Sequence, residues 1–570
     1  MEKWVVAAKR ADFAGIARTF GIDPVTARLI RNRDIVGDTA IRQYLYGTRE
    51  DLGDPLAMKD VRRAVEILGE KIGAGKKIRV IGDYDIDGVM STYILYKSLL
   101  GLGAQVDCRI PHRIRDGYGI NEHLIREAGE EGVDTILTCD NGISAADQIR
   151  LAKELGMTVI VTDHHEVPFV EEAGVRREIL PPADAVVNPK QADCGYGFSG
   201  ICGAVVAMKV MEALYRAEKP GVDLVDRMLP YAAMATVGDV MDLVGENRII
   251  VKEGLKRLHK TDNLGLQELI RVNGLEPEQI GVYHIGFVLG PCLNAGGRLD
   301  TARRALALLC AEDRQEAARL AGDLKNLNDS RKDMTAQGVE EAVRQVEEQH
   351  MTREGVLVIF LPDCHESLAG IIAGRIREKY HRPTFVLTRG EEQVKGSGRS
   401  TEAYSMYEKL CECGEYLTKF GGHPMAAGLS LPEENVEPFR RALNERCGLT
   451  EEDFVEKITI DVPMPLSYIR KDLVREMKLL EPFGKGNEKP LFAQKGLHPR
   501  GLRVLGKNRN VVRMQLADAA GFAMTGIYFG DGDEFVCSVQ DRDTISVLYY
   551  PEIDEYQGRE NLQVIVKSWC

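Results

Sequence analysis

Residues 77–88 read KIRVIGDYDIDG, a short apolar run that ends in three carboxylates at alternate positions, Asp83, Asp85 and Asp87. Runs of the same kind recur at AQVDCRIP (104–111), DTILTCDNG (134–142), TVIVTDHH (158–165) and ADAVVNP (183–189), and each ends in polar residues. Helical spacing lies between them, as in Thr92 to Leu100 and Ala145 to Leu155. This alternation predicts a parallel α/β sheet within residues 60 to 250. Ligands of such sheets bind beyond the carboxyl ends of the strands. That is where this sequence collects its acids and histidines.

Three carboxylates so close together are tolerated only when protons or cations neutralise them. Other strand ends supply Asp140-Asn141-Gly142 and Asp163-His164-His165, and MATVGDVMDL places Asp239 and Asp242 after an apolar, helix-like run. If these ends converge, four to six carboxylates and one or two imidazoles surround one site, a mix that suits two divalent ions such as Mn²⁺ or Mg²⁺. Two ions ~3.5–4 Å apart can bind both non-bridging oxygens of a phosphate, activate a water and stabilise the leaving oxygen. Phosphoester hydrolysis is therefore expected. Singly, an Asp at a strand end is usually a turn or cap and a His pair is usually surface or packing; it is their order along one sheet edge that outweighs the bland reading.

Several rivals fail on spacing. An EF-hand loop also begins D-x-D-x-D-G, but its twelfth position should be Glu and here is Ile94. The GAGKK at Gly73 to Lys77 lacks the first glycine of a Walker loop and has Lys77 where Ser or Thr should bind magnesium. Gly195, Gly197 and Gly200 form a G-x-G-x-x-G before the apolar helix Ile201 to Leu214, yet NPKQADC precedes it instead of a strand, so a loop of the substrate cleft is expected rather than a dinucleotide site. Of twelve cysteines only Cys411 and Cys413 lie close, without the second pair a zinc site needs. Reduced thiols in the cytoplasm are expected.

At 570 residues the chain is too long for one core, and about three to four domains are expected at ~150 residues each. With 44% hydrophobic and 28% charged residues it is globular in composition, and no apolar stretch approaches the ~18 residues of a membrane span. MEKWVVAAKRADF reaches a lysine-arginine pair before a signal-type block can form, so neither secretion nor a membrane is expected. A helical segment is predicted over 1–50, the acid-bearing domain over 51–300, and a connector over 301–349 of one or two long helices capped by Asp300 or Thr301, with Leu306, Leu309, Leu320, Leu324 and Leu327 at helical spacing. GVLVIFLPD, a helix around Leu368 to Tyr380 and TFVLT predict a smaller α/β domain over 350–448. From 455 to 570 short β-like runs predict a small Greek-key barrel. The net charge of −13 argues mildly against a surface coated for nucleic acid, but residues 485–513 hold Lys485, Lys489, Lys495, Arg500, Arg503, Lys507, Arg509 and Arg513 against the single acid Glu488. A barrel with such a face binds single strands, and Phe483, Phe492 or Tyr556 could stack bases, although Phe492 is better read as core.

GDYDIDG, TCDNG, TDHHE and TVGDVMDL together resemble the four motifs of the DHH phosphoesterase superfamily. PHRIRDGYG (111–119), GPCLNAGGRLDTA (290–302), CHESLAGIIAGRIREKY (364–380), GSGRS (396–400), FGGHPMAAGLS (420–430) and LEPFGKGNEKPLF (480–492) extend the resemblance, in order and over nearly the whole chain, to the RecJ family of single-strand-specific exonucleases. The resemblance implies a DHH domain joined by a long helix to a DHH-associated domain, then an OB-fold. It also implies 5′-to-3′ hydrolysis of single-stranded DNA to 5′-mononucleotides with Mn²⁺ or Mg²⁺, in DNA repair and recombination. The partners it suggests are single-stranded DNA, a single-strand-binding protein and a helicase, with the chain a cytoplasmic monomer.

Carried over by motif, Asp85 serves one ion, Asp87, His164 and Asp239 the other, and Asp140 bridges. Asp83 and Asp163 orient ligands, and His165 approaches the scissile phosphate. Arg113, Arg298, Ser397 and Arg399 match phosphate-binding positions, which suits the planar guanidinium fork, and His423 closes the cleft from the second domain. Cys292, where a basic residue is common, and Gly296, in place of alanine or serine, depart from the pattern. Within the superfamily the alternatives are a phosphodiesterase of short oligonucleotides or cyclic dinucleotides and a manganese pyrophosphatase; a non-catalytic replication scaffold is the alternative of another class.

Overall fold

The computed structural model describes residues 2–570 other than 114, 115, 118, 173 and 557, and their side chains except those of 172, 175 and 556. The quoted apolar runs become five strands, β1 (Lys77–Ile81), β2 (Gln105–Arg109), β3 (Thr135–Cys139), β4 (Thr158–Thr162) and β5 (Ala185–Val187). They form one wholly parallel sheet in the order β2-β1-β3-β4-β5. Ile78, Val80, Ile136, Leu137, Val159, Ile160 and Val161 are fully buried, as strands covered on both faces require. Helix α1 (Ile86–Gly101) starts directly at the end of β1, capped by Asp85, and packs against α2 (Gly203–Glu218) and α3 (Leu224–Gly238). All five strand ends therefore point to the edge that carries the acids.

Two helices link this layer to the next. Helix α4 (Gly290–Leu299) packs on α5 (Arg314–Glu348), whose 35 residues span about 52 Å at 1.5 Å per residue. The structure divides the capping expectation. Residues 301–349 form a short helix, Arg303–Cys310, and then α5; Thr301 Oγ1 accepts from the Arg303 amide at 3.3 Å at the start of the short helix, whereas the cap of α5 is Asp313, which accepts from the Glu316 amide at 2.9 Å. Asp300 pairs instead with the Arg304 side chain in the first turn of the short helix.

The far part of α5 packs on α6 (Ala369–Tyr380) beside a second sheet of β6 (Leu357–Phe360), β7 (Thr384–Arg389), β8 (Val394–Arg399), β9 (Lys419–His423) and β10 (Ala426–Leu431). Its order is β9-β10-β8-β7-β6, with only the β6–β7 pair parallel. The third sheet comprises β11 (Val462–Pro463), β12 (Phe492–Leu505), β13 (Val511–Ala517), β14 (Ala523–Phe529), β15 (Ile545–Tyr556) and β16 (Arg559–Trp569). β12 pairs with both β13 and β15, which closes the ring into a barrel.

The N-terminal residues belong physically to this barrel. Glu2–Val6 lies parallel to Glu456–Ile460, and Phe20, Leu29, Ile30 and Leu45 from helices Phe13–Phe20, Pro24–Asn32 and Asp38–Tyr46 share one core with Phe492, Val512 and Tyr549. No helix among the described residues is long and apolar enough to cross a membrane.

Candidate metal centre

Asp85 is held as a helix cap, its Oδ1 accepting from the amides of Asp87 at 3.0 Å and Gly88 at 3.1 Å. Asp87, on the first turn of α1, is buried against the start of α2, where Gly203 donates to Oδ2 at 2.7 Å and Ala204 to Oδ1 at 2.8 Å. A helix N-terminus offers unpaired amides and a positive dipole end, so it holds a carboxylate in place. Asp140 follows β3 with a left-handed backbone, φ +60°, and its N–H donates to the Thr162 carbonyl at 3.1 Å. The neighbouring Asn141 secures that turn, since its amide donates to the carbonyls of Ile81 and Cys139 and its Oδ1 accepts from Ile120. Only the Asn-Gly that follows Asp140 hinted at this second role in the sequence.

The ends of β1, β3, β4 and α3 converge. His164 Nε2 stands 3.1 Å from Asp140, 3.5 Å from Asp87 and 3.8 Å from Asp239. Three overlapping donor sets, Asp140–His164–His165, Asp87–His164–Asp239 and Asp83–Asp85–Asp140, each bring their ligand atoms within 4.8 Å of one another. Asp163 is engaged differently. It accepts from the amides of His164 and His165 at 2.7 and 3.1 Å, from His165 Nδ1 at 2.8 Å and from the Ile143 amide at 2.9 Å. Asp83 accepts from Gly119 through Oδ1, while its buried Oδ2 has no hydrogen-bond partner. Asp242 lies outside the cluster, 3.2 Å from Lys485 of the segment leading into the barrel.

Electrostatics say what the cluster lacks. Burial, then the neighbouring Asp87, Asp85 and Asp83, pushes Asp140 well above the carboxylate range; burial and Asp85 do the same to Asp83. Burial, then Asp87 and Asp85, lifts Asp239 to about 8, and burial and Asp87 raise Asp85. Burial holds His164 below its ordinary value, which keeps the imidazole neutral and fit to ligate. His165 rises to about 9, because the hydrogen bond and charge of Asp163 outweigh its burial. Buried carboxylates that repel one another, one with an orphaned oxygen, beside a neutral imidazole make an all-oxygen-and-nitrogen donor set with too much negative charge. That chemistry fits two hard divalent cations, and no cysteine stands among the donors.

Cationic residues stand close to the acids, Arg113 acting on Asp83 and Asp85 acting on Arg298. Arg113 lies over the Tyr84 ring at 4.7 Å, Arg298 reaches across the domains to the Ser367 carbonyl at 2.9 Å, and Arg399 contacts Ser397 Oγ at 3.2 Å. Burial, then Arg113 and Arg331, lowers Arg298 to about 10; burial, Arg377 and Arg113 lower Arg399. These guanidiniums crowd one another as an anion site would require. A cavity of about 360 Å³ places His423 opposite His165, Glu166 and Gly142, and the glycine-rich loop at Gly197 borders another of about 650 Å³ with Glu166 and Lys190. Cys292 is fully buried between Asn273 and Asn328, and Gly296 has no room for a Cβ, which would lie 2.8 Å from the Thr301 carbonyl. Neither residue belongs to the candidate donor sets.

Phe492 is fully buried, in line with its reading as core, and Phe483, offered as a stacking residue, packs against the same core instead, while the side chain of Tyr556 lies outside the described residues. The most exposed aromatic of the barrel, among the described residues, is Phe529, at 61%, paired in register with Val511, and beside that row Arg503 and Arg513 face each other across β12 and β13. Like charges directly opposite are unfavourable unless an anion lies between them. Phe529 lies in the β-like run FAMTGIYFG (522–530), but the run does not mark it as exposed, because a strand end leaves no periodic signal. Lys485 and Arg509 are engaged by Asp242 and Asp533, and Lys489 lies over the Tyr550 ring at 3.5 Å.

Three family profiles match in chain order: the DHH family N-terminal domain over residues 77–236, the DHHA1 domain over 353–448 and the RecJ OB domain over 460–568. The chain is 36% identical over 551 residues to the single-stranded-DNA-specific exonuclease RecJ of Bacillus subtilis, covering 96% of this chain and 68% of that one. It is 32% identical to the RecJ of Haemophilus influenzae, covering 95% of each. The crystal structure of RecJ from Thermus thermophilus in complex with Mn²⁺ superposes with a TM-score of 0.82 at 28% identity, over all of this chain and 79% of that one.

Proposed function

Because the chain belongs to the RecJ family of single-stranded-DNA-specific exonucleases, we propose that the acid and imidazole cluster at the sheet edge is its hydrolytic centre. The protein is a metal-dependent exonuclease of single-stranded DNA that uses Mn²⁺ or Mg²⁺. One observation carries the assignment of the centre: His164, Asp87, Asp140 and Asp239, far apart in sequence, meet within 4 Å at a single imidazole nitrogen.

Asp85 would hold one ion, Asp87, His164 and Asp239 would hold the other, and Asp140 would serve both. When bound, the pair polarises the scissile phosphate and lowers the pKa of the attacking water. The protein's own residues do the rest. The amides of Gly203 and Ala204 and of Asp87 and Gly88 fix the carboxylates so that no reorganisation is needed on substrate binding. Asp163 orients His165 through Nδ1 and keeps it cationic, which sets a positive charge where negative charge builds on the phosphate. Arg113, Arg298, Ser397 and Arg399 grip the strand's phosphates, and His423 closes the site from the second domain.

Hydrolysis runs from the 5′ end and releases 5′-mononucleotides, with the Arg503–Arg513 face and Phe529 of the barrel holding the trailing strand. The chain works as a cytoplasmic monomer beside a single-strand-binding protein and a helicase. The test is release of label from 5′-labelled and 3′-labelled single strands with Mn²⁺. Wild type should free the 5′ label first, and Asp140→Ala should free neither; retained activity in the variant would contradict the bridging role.

A further inference from the structure

Three of the most exposed large apolar side chains lie on the segments next to Asp239. Tyr283 and Phe287, 65% and 63% exposed, stack on each other with centroids 5.1 Å apart and planes 28° apart, and Val240 is 60% exposed. Val240 directly follows Asp239 and takes a left-handed backbone, φ +56°. That conformation is strained for a β-branched residue, and such strain persists where it serves a site. Here it turns an apolar side chain out to water next to a metal donor.

The two aromatics sit on either side of Gly286, whose inward face lies against Val237 of α3, two residues before Asp239. Residues Ile285–Leu289 wind as a π-helical turn, a form that recurs at functional sites. The same helix begins at Val282, which flanks Gly484, and the Lys485 carbonyl accepts from Leu243 at 2.7 Å. The patch thus lies where the segment carrying Asp239 meets the segment that leads into the barrel.

We propose that Tyr283, Phe287 and Val240 form a stacking platform for unpaired nucleobases of the strand between the metal centre and the barrel. Resting on the exonuclease reading above, the platform adds a means of selecting single strands. Every base has a flat π face that can stack irrespective of sequence, and a duplex hides those faces within its own stack.

The test compares binding of a 20-nucleotide oligo-dT with an abasic 20-mer of equal charge, in EDTA so that neither is cut, by fluorescence anisotropy. Wild type should prefer oligo-dT. The exposed double substitution Tyr283→Ala/Phe287→Ala should weaken oligo-dT binding about tenfold, as loss of a stacked base implies, with the abasic affinity and the slope of log Kd against log salt unchanged. Tyr283→Trp/Phe287→Trp should keep the preference. Equal losses on both strands, no loss on oligo-dT, or a concentration-dependent dimer that the alanines dissociate would each overturn the platform. If wild type also fails to release nucleotides with Mn²⁺, the exonuclease reading has failed; if it degrades strands while the alanine variant binds oligo-dT as wild type does, only the platform has.

Discussion

Gly203→Ala separates the geometry of the centre from its chemistry, because it removes no donor and adds one methyl. A Cβ at Gly203 would lie 2.8 Å from Asp140 Cβ, 3.0 Å from its Cα and 3.1 Å from its Oδ1. Ordinary contact begins at 3.4 Å, so Asp140 must retreat by about 0.6 Å (3.4 − 2.8). It has little freedom to do so, with its amide tied to Thr162 and Asn141 bonded to two strand carbonyls. Functional groups must be held within about 0.5 Å of the productive geometry, and a 1 Å misplacement costs about 100-fold in rate. Turnover of a 5′-labelled strand with Mn²⁺ should therefore fall by roughly 10- to 100-fold, with an overpacking cost of about 1–3 kcal/mol in stability. Gly322→Ala is the control. Nothing lies within 4 Å of its Cβ position on α5, so it should leave turnover unchanged and raise helix stability by about 1 kcal/mol. Wild-type turnover in a folded Gly203→Ala protein would refute the claim that the centre tolerates no displacement of Asp140.

The raised carboxylates give a pH dependence with a definite sign: their folded forms bind protons more tightly than the unfolded chain, so the metal-free protein loses stability as pH rises from the ordinary carboxylate value near 4 through about 8, the value of Asp239. Thermal melts should show the stabilisation by Mn²⁺ growing from pH 5 to 8, and a gap that stays constant would contradict the charge-repulsion account. Arg298→Ala removes a charged hydrogen-bonding group, worth ~1.5–3 kcal/mol, so KM for a 5′-phosphorylated strand should rise about 10- to 100-fold and the preference over a 5′-hydroxyl strand should disappear. Deleting residues 455–570 exposes Phe20, Leu29, Ile30 and Leu45, so that truncation should aggregate unless the N-terminal helices are removed with it, as size-exclusion chromatography of the two truncated chains would show.

Much of the catalytic layer was legible because strand ends carry a local signature. β1, β3 and β4 each stop at an acid or a histidine, and the parallel order brings those ends to one edge. Local pattern could not show what holds the acids in place. The partners of Asp87 are amides 116 and 117 residues away, and nothing in GICGAVVAM marks Gly203 as their source. The same limit explains Asp242, which shares its motif with Asp239 but is drawn to Lys485, and Asp300, which meets the capping rule yet lies one turn from Arg304. It explains Phe529 as well, since a strand pattern distinguishes inside from outside poorly at a barrel end. Residues 1–50 read only as a helical segment, and the apolar faces of those helices are matched by residues of the barrel at the other end of the chain.

Anomalous diffraction from crystals of the full chain soaked in Mn²⁺ tests whether these distant acids and imidazoles hold two divalent ions at one sheet edge. Two strong peaks are predicted, one bounded by Asp85 and Asp140 and the other by Asp87, Asp140, His164 and Asp239. Peaks elsewhere, or none at a concentration that supports cleavage, would contradict it.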